Sequence, residues 1–85
     1  MRNVIAVFNN RNQTMQFASY LKKLNVNCKT ISTPRELSVS CGLSVMFFDS
    51  GIAQANFILS RYNLNSFVGF FIANNDAYKN YQRLY

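Results

Sequence analysis

Residues Thr33–Val45 read T-P-R-E-L-S-V-S-C-G-L-S-V, and how this stretch divides decides the fold. Its first half opens like a helix. Thr33 can cap with its hydroxyl, and Pro34 suits the first helical position, where a missing N–H costs nothing. Glu36, three residues after Thr33, can reach back to the cap residue's own N–H. Only about one turn follows, because Ser38, Val39 and Ser40 are weak helix residues and Gly42 marks a break. From Leu43 to Phe48 the chain reads L-S-V-M-F-F, a buried strand. The stretch is therefore a short connection that delivers Cys41-Gly42 to the start of a strand. A glycine beside a thiol lets a second group approach the sulfur closely.

On the N-terminal side, Val26–Ser32 is a strand with weak alternation and polar content, which suits a sheet edge. Val4–Phe8 is a continuous apolar run ending at Asn9-Asn10 and fits a central strand. Asn10 is a good cap with Gln13 three residues on, so helix one starts near Arg11. Phe17, Ala18, Leu21 and Leu24 recur at helical spacing, Gln16, Lys22 and Lys23 take the wet side, and Asn25 ends the helix.

On the C-terminal side, Asp49-Ser50-Gly51 begins helix two, with Ile52, Ala55, Ile58, Leu59 and Tyr62 in one stripe. Asn63–Ser66 is a loop and Phe67–Ile72 a fourth strand. Asp76–Tyr85 can form a last short helix with Ala77, Tyr81 and Leu84 on one side.

This order predicts an α+β chain, a ferredoxin-like βαββαβ two-layer sandwich with a mostly antiparallel four-stranded sheet, as a single domain over residues 1–85. Right-handed crossovers place strands one and three in the middle, antiparallel to each other. The start of strand three then lies beside the end of strand one, where helix one begins. Asn9, Asn10, Arg11, Arg35 and the Cys41-Gly42 pair converge on one end of the molecule.

Composition narrows what that end can do. Nine basic and three acidic residues give a net charge of +6, with the cations scattered along the chain. Such a chain favours acidic partners or anions, without the clustered stripe that would mark nucleic-acid binding. There is no histidine, and two cysteines with three carboxylates make neither a zinc site nor a carboxylate pair for acid–base work. We expect no metal, no cofactor and no turnover by this chain alone. Two cysteines are not a disulfide scaffold, and no segment has the apolar length of a signal core or a membrane span, so a cytoplasmic address is expected.

A thiol near a helix N-terminus and arginines gains thiolate character, which makes it a better nucleophile toward sulfur. Helix one supplies N–H groups and the positive end of its dipole, Arg11 adds a charge, and Arg35 can add another. Set against this, a single cysteine is most often packing, Arg11 and Arg35 can be solvated charges, and Thr33, Pro34 and Glu36 can be structural caps. Cys28, in the body of strand two, is read as packing.

The runs T-P-R-E and S-C-G-L-S-V, the opening V-F-N-N-R-N-Q-T-M-Q-F and the later S-F-V-G-F resemble the Se/S carrier protein-like family over most of residues 4–72. The resemblance includes the family's Cys-Gly pair. It implies a sulfur or selenium carrier with Cys41 as acceptor, served by a donor protein such as a cysteine desulfurase and by an acceptor protein. The alternative is a small binding module, for an anion or RNA, in which Cys41 is structural.

The apolar runs also predict apolar side chains on both sheet faces. Helices cover one face; the other then needs the C-terminal tail or a second copy of the chain as cover, and a homodimer through that face is the expectation.

Overall fold

The computed structural model describes residues 2–33, 42–73 and 81–83. They form β1 (Asn3–Phe8), α1 (Arg11–Lys23), β2 (Cys28–Ser32), β3 (Leu43–Phe48), a single 3-10 turn (Asp49–Gly51), α2 (Ile52–Arg61), β4 (Phe67–Ala73) and β5 (Tyr81–Arg83). The chain is α+β, with one sheet in the order β2-β3-β1-β4-β5 in which every neighbouring pair is antiparallel.

Each boundary has a local cause. Asn10 holds an extended conformation and its side-chain oxygen accepts the Gln13 N–H, which starts α1. Asn25 adopts φ 63°, a left-handed setting that asparagine tolerates, and turns the chain out of the helix toward β2. Gly51 is glycine because of crowding. A Cβ there would stand 2.8 Å from Val26 Cγ1 and 3.3 Å from a Phe47 ring carbon.

The core lies between one sheet face and the two helices. Val4, Ala6 and Phe8 alternate along β1 toward Phe17, Ala18 and Leu21 of α1 and Ala55 and Ile58 of α2. Register places Val4 opposite Phe47, and Ala6 between Val45 and Phe70. Five phenylalanines close a ring of contacts: Phe8–Phe17 (5.1 Å), Phe17–Phe47 (6.3 Å), Phe47–Phe70 (6.0 Å), Phe70–Phe67 (4.9 Å) and Phe67–Phe8 (5.2 Å). The tilted and edge-on geometries suit the ring quadrupoles, and the cycle ties α1 to three strands.

One expectation is revised. The tail segment Tyr81–Arg83 is a strand rather than part of a last helix, with Ile72 opposite Gln82. An isolated helix of about ten residues is marginal in water, whereas pairing satisfies the open edge of β4 and makes the sheet five-stranded. The face away from the helices is also not bare at its centre. Ile5, Val7 and Ser44 point that way and are fully buried within one chain. Phe48, at the margin of that face, stays 43% exposed.

Candidate functional site

The end of the sheet where α1 begins is assembled by register. Val7 near the end of β1 pairs with Ser44 at the start of β3, and Ser32 at the end of β2 pairs with Leu43. One rung further, the Thr33 N–H donates to the Gly42 carbonyl at 3.0 Å. On the other side of β1, the Asn9 N–H donates to the Ser66 carbonyl at 2.9 Å. Asn9, Asn10, Arg11, Thr33, Gly42 and Ser66 therefore gather at one end of the molecule. Of the residues expected there, Cys41 and Arg35 lie outside the described residues, as do Pro34 and Glu36. Cys41 is bonded through the chain to Gly42.

The start of α1 is knit tightly. Asn10 Oδ1 accepts the Gln13 N–H at 3.0 Å, and the Asn10 carbonyl accepts both the Thr14 N–H and the Thr14 hydroxyl at 3.0 Å. This leaves the Arg11 and Asn12 N–H groups without an intrahelical partner, at the positive end of the helix dipole. Both residues are exposed, and no acidic residue stands in the first turn. An anion brought here meets two N–H donors and the Arg11 guanidinium. Asn10, expected as a contact residue, spends its carbonyl oxygens on the helix and keeps only its side-chain amide N–H groups for a ligand.

Gly42 is exposed, and among the described residues a Cβ added there would meet nothing within 4 Å. Its φ is not positive. Among the described residues, neither backbone strain nor crowding requires glycine here.

Two side-chain bridges at this end were not anticipated. Thr33 Oγ1 lies 2.7 Å from Ser44 Oγ, and Ser44 is fully buried. Gln13 Oε1 accepts from the Ser66 N–H at 3.0 Å and from the Ser66 hydroxyl at 2.6 Å, while Gln13 Nε2 donates to Asn65 at 3.1 Å. The visible signal for the first was a serine inside an apolar strand, a polar group that burial obliges to find a partner. The sequence around Gln13 signals only the helix start.

Cys28 belongs elsewhere. It pairs with Phe47, five residues along β2 from Thr33, or roughly 16 Å at about 3.3 Å per residue. Its thiol donates to the Ala18 carbonyl at 3.6 Å, and burial raises its pKa against an opposing pull from Lys22. It is a packed, poorly ionised thiol. Among the described residues there is no cluster of His, Cys, Asp or Glu that could hold a metal, and no helix is long and apolar enough to cross a membrane.

With this geometry in place, comparison with known proteins is specific on one point. The family model described as "Putative Se/S carrier protein-like" matches residues 3–66. No curated protein and no solved structure matches the chain.

Proposed function

The chain belongs to the Se/S carrier protein-like family, and from that premise we propose that it carries sulfur or selenium on Cys41 between partner proteins. The observation that carries the proposal is the joining of Gly42, next to Cys41 in the chain, to the sheet end where α1 presents the Arg11 and Asn12 N–H groups. In the loading step the Cys41 thiolate attacks the outer sulfur of a donor persulfide, R–S–S–H. A new S–S bond forms on Cys41, the donor's S–S bond breaks, and its electron pair leaves as R–S⁻. The carried persulfide ionises readily, and Arg11, the helix N-terminus and Arg35 favour the anion. Delivery repeats the displacement, with the acceptor's thiolate as nucleophile and Cys41 as leaving group. The selenium form follows the same exchange.

The chain is read as a carrier and not as an enzyme acting alone, with a desulfurase-type donor, an acceptor protein and a cytoplasmic setting. We also read the run β2-β3-β1-β4 as the ferredoxin-like arrangement, with β5 added at its edge. The test is to incubate the reduced chain with a persulfide donor and map the added sulfur by mass spectrometry. A single reducible sulfur on Cys41, lost in Cys41→Ser, supports the proposal. No adduct with a competent donor refutes it.

A further inference from the structure

A second site stands at the opposite end of the sheet. A cavity of about 370 Å³ is lined by Asn3, Asn27, Cys28, Lys29, Met46, Phe47 and Phe48. Its size falls within the roughly 300–1,000 Å³ of small-molecule pockets. Strand pairing puts Lys29 opposite Met46 and Asn3 opposite Phe48, so these four share the sheet face turned away from the helices. The wall is apolar, and Phe48 leaves 43% of its surface exposed there. The lining also includes two amides and one ammonium.

Among the described residues the charge on this cavity has one sign. There Lys29 is the ionisable side chain lining it apart from the Cys28 thiol, and no described carboxylate does. The nearest acid in sequence, Asp49, is held by Arg2, with Arg2 Nε donating to Oδ2 at 3.5 Å and the Asp49 N–H donating to the Arg2 carbonyl at 2.9 Å. Among the described residues no hydrogen bond or ion pair engages the side chains of Asn3, Asn27 or Lys29. Three donors thus line the cavity together with Met46 and Phe48, none of them engaged among the described residues.

We propose that this cavity binds a small carboxylate with an apolar body. The body lies against Met46 and Phe48, and the carboxylate takes the Lys29 ammonium and an Asn amide N–H. This does not rest on the carrier reading, because Cys28 and Gly42 lie at opposite ends of the β2–β3 pair.

The test is an NMR titration of the isotopically labelled full chain with three probes of one length: octanoate, octanol and octylammonium. Octanoate should shift the amides of Lys29, Met46 and Phe48 saturably, with octanol about tenfold weaker and octylammonium weaker still. Lys29→Gln, at an exposed position, should bring octanoate down to the level of octanol and leave octanol unchanged. Phe48→Ser should weaken both. Equal binding of octylammonium and octanoate would overturn the proposal. So would shifts confined to other residues, or none for any probe at millimolar concentration.

Discussion

Thr33 and Ser44 meet hydroxyl to hydroxyl, 2.7 Å apart, at the ends of β2 and β3. With the Thr33–Gly42 backbone bond, this contact fastens the chain on both sides of residues 34–41. Thr33→Val and Ser44→Ala should each cost about 1 kcal/mol, and their coupling in a double-mutant cycle should be about 0.5–1.5 kcal/mol. Urea unfolding of the four proteins reads the coupling directly. Strict additivity would mean that the bridge contributes nothing.

Asn10→Ala should lower stability by about 1 kcal/mol, because the Gln13 N–H loses its partner. Asn10→Asp should restore most of it, since a carboxylate accepts the same bond and suits the helix N-terminus. Thermal unfolding of the pair separates capping from any role in binding, which the aspartate would oppose by repelling an anion.

Gly51→Ala should destabilise by about 1–3 kcal/mol through overpacking against Val26 and Phe47. The nearer neighbour is β-branched and has little freedom to move aside. Val26→Ala, introduced with it, should recover part of the loss in chemical unfolding, whereas Val26→Ala alone should only destabilise.

Burial raises the Cys28 pKa, so less of it is thiolate at a given pH. Its alkylation should be slow near neutrality and should accelerate only above the ordinary thiol range. Lys22→Gln should slow it further, because that lysine favours the thiolate. The same shift has a sign for stability. A thiol whose folded pKa is raised contributes most below its unfolded pKa and loses that contribution as pH rises through the folded value. Mass-spectrometric labelling at several pH values reads the rate, and fast labelling at neutral pH would contradict the packing seen here.

Much of the fold was legible because its signals are local. The apolar run Val4–Phe8, the Asn10 cap with Gln13 behind it, and the stop at Asn25 each depend on a few neighbouring residues. Tyr81–Arg83 was not legible, since a short polar strand is stabilised by the distant β4 edge rather than by its own pattern. The two hydroxyl and amide bridges, Thr33–Ser44 and Gln13–Ser66, depend on register and loop closure, which periodicity does not report. For the candidate site, strand order brought Asn10, Arg11 and Gly42 to one end as expected. The expected closeness of Gly42 to a reacting thiol concerns Cys41, which lies outside the described residues. The cavity around Lys29 and Phe48 escaped notice because its residues come from three strand ends and carry no motif.

A sulfur carrier of this kind needs one thiol to behave unlike the other. Reduced protein, given a small-molecule persulfide donor and then digested without reductant, should carry one added sulfur on the Cys41 peptide. The Cys28 peptide should stay unmodified, and Arg11→Ala should slow the loading. Equal modification of Cys28 and Cys41, or loading of Cys41 indifferent to Arg11 and no faster than in the unfolded chain, would contradict it.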